Sequence, residues 1–214
     1  MLTFSEENHL KSIFHLSSES ESGVSTNSIA DNLNTKASSV TEMLKKLNDK
    51  LLIVYKKYRG AQLTEKGRKT ALNIIRKHRL WEVFLVDKLN FKWDEVHDIA
   101  EQLEHIQSEK LTNELDKFLN FPTKDPHGDP IPNPAGFIKF TPKLKLSDLN
   151  IGETGKFVGV KDSSATFLKY LDKRQISLGS NIKVLHQEEF DQSLHVGLDE
   201  SNLTISIKTA SNLY

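Results

Sequence analysis

Three amphipathic patterns open the chain. Apolar residues recur every three to four positions in FSEENHLKSIFHLSSES, GVSTNSIADNL and SSVTEMLKKLNDK, which is the spacing of helices with one buried face. Ser5 is the predicted cap of the first helix, and Ser25 or Thr26 the cap of the second, because their hydroxyls accept unpaired N–H groups of a first turn. The short break NTKA separates the second and third patterns, which predicts a helix-turn-helix.

A hairpin pattern follows these helices. Two apolar runs flank a polar turn in LLIVYKKYRGAQLT, an arrangement that predicts two antiparallel strands. Thr64 is then expected to cap a long helix that begins at Glu65. The order helix, helix, helix, hairpin, helix is that of a winged helix, whose third helix enters the major groove of DNA. The start of the chain therefore predicts a winged helix-turn-helix domain.

The remainder changes character at a proline-rich segment. Residues 79–120 have helical periodicity, with Asp94 expected to open the helix in DEVHDIAEQLEH. FPTKDPHGDPIPNPAG then holds five of the six prolines and predicts a linker. After it, GKFVGVKD, NIKVLHQ, SLHVGLDE and NLTISIKT read as short strands of a small all-β barrel. We therefore predict a mostly α protein with domains at 1–73, 74–140 and 141–214.

The charge distribution divides the chain. The formal net charge is zero, but residues 1–78 carry 13 Lys and Arg against 8 Asp and Glu, which favours an anionic partner for this part. The chain has no cysteine and no apolar run of about 18 residues, and it does not begin like a signal peptide. These features predict a cytoplasmic protein without a membrane partner.

The basic residues and short hydroxyl side chains of the third helix and the hairpin are candidate contacts to double-stranded DNA. Cations neutralise phosphates, and side chains at the start of a recognition helix reach phosphates or base edges. A winged helix used for protein contacts alone, or a solvated basic face, is the alternative. The candidates are Lys36, Ser38, Ser39, Thr41, Lys45, Lys46, Lys57 and Arg59.

A second cluster of functional side chains lies in VHDIAEQLEHIQSEK. His97, Glu101, Glu104 and His105 share one sector of the predicted helix, beside its apolar stripe. His78 and Glu82 lie one helical turn apart in RKHRLWE. Imidazole and carboxylate without thiolate suit Mn²⁺, Fe²⁺ or Zn²⁺, and also Co²⁺ or Ni²⁺. The alternative is a set of ion pairs with Lys and Arg on neighbouring helices.

The chain lacks the usual catalytic motifs. It contains no H-E-x-x-H, no Walker loop, no G-x-S-x-G and no cysteine nucleophile, so we predict neither an enzyme nor a small organic substrate. A metal-dependent hydrolase carrying a DNA-binding module is the alternative function. A winged-helix protein that binds DNA without metal is a third reading.

Five motifs in order give the chain a family resemblance. KASSVTEMLKKL, LTEKG, RKHRLWE, EVHDIAEQLEH and DPHGDPIP resemble the diphtheria toxin repressor and manganese transport regulator family. The resemblance implies a homodimeric, metal-activated transcription factor that binds an inverted-repeat operator and represses manganese or iron uptake genes. It also implies that the C-terminal strands form an SH3-like barrel similar to the ferrous-transport protein FeoA.

The resemblance also implies a primary and an ancillary metal site. We expect the two sites to be separated, because Asn8 and Lys11 stand where short manganese regulators have the first-helix carboxylates that help to hold a bridged metal pair. The primary site maps onto Glu101, Glu104 and His105, completed by a residue of the first helix, where this chain has Asn8. The ancillary site maps onto a second set with a ligand from the barrel, and it is expected to be the more completely formed of the two. That set is His78, Glu82 and His97, with Asp162 as the barrel ligand.

Two positions of this chain bear on the activating metal. Manganese regulators carry a Glu where this chain has Lys11, whose ammonium cannot be a ligand. Iron-responsive members carry a Cys where this chain has Glu101, and a hard carboxylate favours harder ions. Mn²⁺ or Fe²⁺ is thus the expected activator, with Mn²⁺ favoured, and Zn²⁺, Co²⁺ or Ni²⁺ as further ions that bind in vitro.

Overall fold

The chain is described by a computed structural model over residues 2–17, 23–56, 59–139, 141–198 and 201–214. It divides into two compact units. The first comprises Met1–Trp81, Ala100–Thr123 and Ile131–Lys139, and the second comprises Glu82–Ile99, Lys124–Pro130 and Phe140–Tyr214. Each unit has an apolar core of its own. The bounds of the three domains drawn from the sequence remain a prediction.

The first unit confirms the predicted order of helices and hairpin. The two strands of the hairpin pair antiparallel, with Ile53 opposite Leu63, and Val24 adds a bridge to Ala61. Leu10, Ile29 and Leu44 are fully buried in the core between the helices and the hairpin. The elements are α1 (Phe4–Ser17), α2 (Thr26–Asn32), α3 (Ala37–Asp49), β1 (Ile53–Lys56), β2 (Gly60–Leu63) and α4 (Glu65–Leu89).

The helix caps explain where these elements begin. The predicted cap Ser5 lies inside α1; Thr3 takes that role, because Glu6 N–H donates to its hydroxyl at 3.3 Å and its own N–H donates to the Glu6 carboxylate at 2.9 Å. This reciprocal pair is a capping box. Ser25 caps α2, and Thr64 accepts the Gly67 N–H at 3.0 Å at the start of α4, as predicted.

The central helices are shorter than their apolar pattern indicated. Helix α5 (His97–Leu103) begins three residues after Asp94, and α6 spans Glu109–Phe118. Asp94 does not open α5; its buried carboxylate lies 3.5 Å from Lys169. Because α5 ends at Leu103, Glu104 and His105 belong to the turn that follows it.

The second unit contains the predicted antiparallel sheet and two helices that were not predicted. The four strands of the sheet pair in chain order, and in GKFVGVKD only the first two residues belong to a strand. A helix arises in SSATFLKYLDKRQ, where Ser164 caps the first turn and Leu168 and Leu171 face the core. The elements are β3 (Thr154–Lys156), α7 (Ala165–Lys173), β4 (Asn181–Gln187), β5 (Leu194–Leu198), β6 (Ser201–Ile205) and α8 (Ile207–Ala210).

A helix that crosses a bilayer must be long and mostly apolar. Among the described ranges, no helix combines the length and apolar character that crossing a bilayer requires.

Candidate metal centres and DNA-binding surface

A buried carboxylate organises the first cluster, which lies in the first unit. The Glu104 side chain is fully buried. It accepts hydrogen bonds from Lys11 Nζ at 2.8 and 2.9 Å and from His78 Nδ1 at 2.6 Å. Lys11 also pairs with Glu101, whose Oε1 lies 4.0 Å from His78 Nδ1. Two predicted primary ligands, Glu101 and Glu104, therefore come together around a lysine ammonium.

The charge state of Glu104 follows from these contacts. Burial alone disfavours the ionised carboxylate and acts to raise its pKa. The hydrogen bond from His78 and the positive charge of Lys11 outweigh burial, and the net pKa of Glu104 is lowered. The carboxylate is thus held in the anionic form that binds a cation.

His105 is oriented by residues of α1. Its Nδ1 lies 2.6 Å from Glu7 Oε2, and the ring stacks on Phe4 with centroids 4.4 Å apart. Gln107 donates to the other oxygen of Glu7 at 2.5 Å. A histidine that donates Nδ1–H to a carboxylate presents its Nε2 lone pair, which is the usual arrangement of a metal-binding imidazole. Glu7 was not predicted from the sequence.

Asn8, on the same helix α1 as Glu7 and Lys11, has an unsatisfied polar atom. Its Oδ1 is buried and has no hydrogen-bond partner among the residues that the structure describes. A buried acceptor of this kind calls for a partner, and an amide carbonyl oxygen is an acceptable ligand for a hard cation. The donor types that the predicted primary residues offer, carboxylate and amide oxygen and imidazole nitrogen, suit a divalent ion such as Mn²⁺ or Fe²⁺.

His78 contacts a carboxylate of the predicted primary set, and its assignment to one site or the other stays a prediction. The resemblance placed it in the ancillary set, but its Nδ1 bonds Glu104, a predicted primary ligand. The sequence shows that His78 and Glu82 lie one helical turn apart, yet this spacing does not specify which carboxylate each residue faces. We therefore propose to group His78 with Glu101 and Glu104.

A second cluster, in the second unit, joins Glu82 to two residues of the proline-rich segment. Potential ligand atoms of Glu82, Asp125 and His127 all lie within 4.8 Å of one another, and all three residues are buried. His127 Nε2–H donates to the Trp93 carbonyl at 2.8 Å, so Nδ1 faces Glu82 Oε1 at 3.6 Å. Asp125 Oδ1 accepts the N–H groups of His127 and Asp129 at 2.8 and 3.0 Å.

These contacts also fit a divalent ion. A backbone carbonyl fixes the orientation of His127, and two N–H groups fix that of Asp125, as is usual for metal ligands. Burial acts to lower the pKa of His127, but the nearby carboxylate of Glu82 and the charge of Asp125 outweigh it, so the pKa is raised. Such attraction for a proton marks a place where a buried positive charge is favoured.

His97 and Asp162 are the other two residues of the predicted ancillary set. His97 Nδ1 is 3.6 Å from Glu82 Oε1, with about half of its side chain exposed. Asp162 accepts the Ser164 N–H at 2.8 Å and is outside the three-residue group. It follows Val160 by two residues, and the Val160 N–H donates to the His127 carbonyl at 3.1 Å. Its role as the barrel ligand stays a prediction.

Sequence reasoning missed Asp125 and His127 because they lie in a segment without periodicity. The motif DPHGDP contained a usable signal: an Asp followed two residues later by a His, in a turn where Asp side chains bond their own backbone. A histidine beside such an oriented carboxylate is a candidate ligand pair.

The DNA-binding candidates lie on the exposed side of α3 and at the hairpin. Lys36, Ser38 and Ser39 at the α3 N-terminus and Lys45 and Lys46 further along are exposed, as is Arg59 next to β2. The Thr41 hydroxyl donates to the Ala37 carbonyl at 2.9 Å, which leaves its oxygen as an acceptor. Lys57 lies outside the described residues.

Comparison with known proteins agrees with this arrangement. Residues 1–61 match the model of the iron dependent repressor N-terminal DNA binding domain, residues 64–133 that of its metal binding and dimerisation domain, and residues 144–214 that of the FeoA domain. The iron-dependent repressor IdeR of Mycobacterium leprae is 32% identical over 179 residues, which cover 84% of this chain and 69% of that protein.

The chain belongs to the iron-dependent repressor family. The resemblance to the diphtheria toxin repressor and manganese transport regulator family is thereby confirmed. IdeR of Mycobacterium tuberculosis is 37% identical over 59% of this chain, and the match spans 54%, about half, of its length. A solved manganese-dependent transcriptional repressor in complex with manganese superposes with a TM-score of 0.88 at 35% identity, covering 97% of each chain.

The family and the matched domains agree with a metal-dependent, DNA-binding regulator. Iron-dependent repressor family members are metal-dependent transcriptional repressors, and the matched domains are DNA-binding and dimerisation domains. The comparisons do not support the metal-dependent hydrolase alternative. The predicted FeoA-like region is confirmed by the match to residues 144–214.

Proposed function

We propose that this protein is a homodimeric repressor that binds an inverted-repeat operator when Mn²⁺ or Fe²⁺ occupies its buried clusters, and so silences manganese or iron uptake genes. The observation that carries the proposal is the presence of two buried groups of oriented carboxylates and imidazoles in a chain that also has a winged helix. Metal that ties these groups together favours one arrangement of the DNA-binding domains.

The two clusters would each hold one ion. Carboxylates, an amide oxygen and imidazole suit Mn²⁺ and Fe²⁺, whereas no thiolate is available to select softer ions. Zn²⁺, Co²⁺ and Ni²⁺ are expected to bind in vitro, because affinity follows the Irving–Williams order. The primary site is assigned to Glu101, Glu104, His105, His78 and Asn8, with Glu7 orienting His105, and the second site to Glu82, Asp125 and His127, with His97 and Asp162 nearby.

A twofold dimer follows from the geometry of winged-helix recognition. One winged helix covers little DNA, and a dimer doubles the phosphate contacts on a palindromic site. The match to a metal binding and dimerisation domain over residues 64–133 supports this assembly. A repressor of this kind works where it meets chromosomal DNA, and we place it in the cytoplasm.

The decisive experiment is a DNA titration with and without metal. The full chain is mixed with genomic fragments in the presence of Mn²⁺, Fe²⁺ or excess chelator, and retardation of each fragment is measured. We expect retardation of a specific fragment with Mn²⁺ or Fe²⁺, its loss with chelator, and no change in the DNA itself. Equal retardation in chelator would point to the third reading, DNA binding without metal, and a cleaved fragment would point to a hydrolase.

Arg59→Ala is expected to weaken operator binding. Arg59 is exposed at the hairpin, where its guanidinium would neutralise a phosphate, and losing one phosphate contact lowers the slope of log K against log salt by about 1. Affinity measured at several salt concentrations checks this. Arg174→Ala, an exposed arginine of the second unit, is the matched control and should leave both quantities unchanged. An unaltered salt slope in Arg59→Ala would contradict the wing assignment.

A further inference from the structure

Lys11 is a lysine whose ammonium is placed like a bound cation. Lys11 lies in the middle of α1, and only 14% of its side chain is exposed. Nζ contacts Oε1 of Glu101 and both oxygens of Glu104, the latter at 2.8 and 2.9 Å. Three carboxylate oxygens thus surround one positive charge, in the group of residues assigned to the primary metal site.

The surrounding charges require a cation at this position. Glu104 is fully buried, and the next residue in the sequence, His105, pairs with a second buried carboxylate, Glu7. Buried carboxylates are costly unless a positive charge or hydrogen bonds compensate them. In the metal-free protein, Lys11 supplies much of this compensation, together with the His78 hydrogen bond to Glu104.

We propose that the Lys11 ammonium occupies the primary site as an internal cation that a divalent ion must displace, and that Lys11 thereby sets the metal concentration at which the protein responds. This inference rests on the proposed function, because it deepens the role of the same site. The oxygens that accept hydrogen bonds from Nζ are the oxygens a metal would bind. A dication and an ammonium a few ångströms apart also repel each other strongly.

Displacement is feasible because lysine has a long flexible stem. The aliphatic chain can stay packed while the ammonium moves to water, and the residual exposure of Lys11 shows that solvent is near. An ion that gives up its water reluctantly, such as Mg²⁺, gains little from the exchange. Ions with strong affinity for imidazole and carboxylate gain more binding free energy from the exchange. Competition with the Lys11 ammonium therefore also selects which metals activate the protein.

The test measures metal affinity at this site alone. Lys11→Met keeps the stem and removes the charge, Lys11→Gln keeps a hydrogen-bond donor without charge, and Lys11→Arg keeps the charge. All are made in a His127→Ala background, which removes the second cluster's imidazole, and Mn²⁺ affinity is measured by competition with a chelating dye. Lys50→Met is the matched control, since Lys50 pairs with Glu6 at 2.6 Å in the same unit but outside the cluster.

We expect Lys11→Met and Lys11→Gln to bind Mn²⁺ at least about tenfold more tightly, a difference of roughly 1.4 kcal/mol. Lys11→Arg and Lys50→Met should stay within about twofold of the parent. Circular dichroism of each metal-free variant establishes which variants are folded. If Lys11→Met does not fold, the comparison is made with Lys11→Gln. Equal or weaker Mn²⁺ binding in the folded neutral variants would overturn the proposal.

Failure of the Lys11 proposal and failure of the proposed function give different experimental results. Metal affinity is read without DNA, whereas the proposed function is read from metal-dependent retardation of DNA by the unmodified chain. Tighter Mn²⁺ binding in Lys11→Met, with retardation that ignores metal, would support the Lys11 proposal and refute the repressor mechanism. Metal-dependent retardation with unchanged affinity in Lys11→Met and Lys11→Gln would do the reverse.

Discussion

Glu104→Gln is expected to abolish the metal response. The substitution keeps the shape of the side chain but removes the charge that Lys11 and His78 contact, and it removes the central anionic ligand of the proposed primary site. Loss of a residue that merely orients a ligand costs about 10–100-fold in metal affinity, so loss of the ligand itself should cost at least about a hundredfold. Mn²⁺ titration and DNA retardation at fixed Mn²⁺ both measure the effect.

The same substitution should lower the stability of the metal-free protein. It removes one partner of a buried ion pair, a change that typically costs about 3–5 kcal/mol, and chemical denaturation would measure the loss. Glu114→Gln on the exposed face of α6 is the matched control and should alter neither stability nor metal response. A Glu104→Gln protein that is retarded on DNA at the parental Mn²⁺ concentration would refute the assignment.

His127→Ala is expected to remove one metal equivalent and leave the other. His127 faces Glu82 within the second cluster, and its ring is held there by the Trp93 carbonyl. Without the imidazole, Glu82 and Asp125 alone make a poor site for an ion that prefers mixed nitrogen and oxygen ligands. Equilibrium dialysis against Mn²⁺ should show two ions per chain in the parent and one in the variant.

The control for this result is His186→Ala, an exposed histidine of β4 in the same unit. It should retain both equivalents, which separates a specific loss from any general effect of removing a histidine. The experiment also tests the family-based assignment of His78. If the double variant His78→Ala, His127→Ala still bound one Mn²⁺ per chain, both residues would serve one site, and our grouping of His78 with Glu104 would be wrong.

The helical part of the fold was predictable because its signals are local. The three-to-four residue spacing of apolar positions and the hydroxyl caps at Ser25 and Thr64 predicted α2 and the start of α4. The error at the first cap came from choosing Ser5, although Thr3 and Glu6 form the S/T-x-x-E pattern of a capping box. Helix α7 was missed because its nine residues lie between strand-like segments.

The sites were predictable to the extent that their residues lie close together in the sequence. Glu101 and the two residues after α5, Glu104 and His105, stood out by spacing alone. Lys11 and Glu7 could not be connected to them, since contacts between residues about 90–100 positions apart depend on how α1 packs. Asp125 and His127 were missed because a turn rich in proline has no period to read.

The packing around Gly128 has a consequence for how this protein can be dissected. Gly128 has φ of +87° and lies against the Val158 backbone, with no room for a Cβ; Lys143 Nζ donates to its carbonyl at 2.9 Å. Trp93 Nε1 likewise donates to Asp172 at 2.9 Å. The segments that supply Glu82, Asp125 and His127 therefore share one folding unit with residues 140–214. A truncated protein ending at the proline-rich segment would strip these segments of their packing partners, so the C-terminal region is not a detachable module but part of the scaffold of the second site.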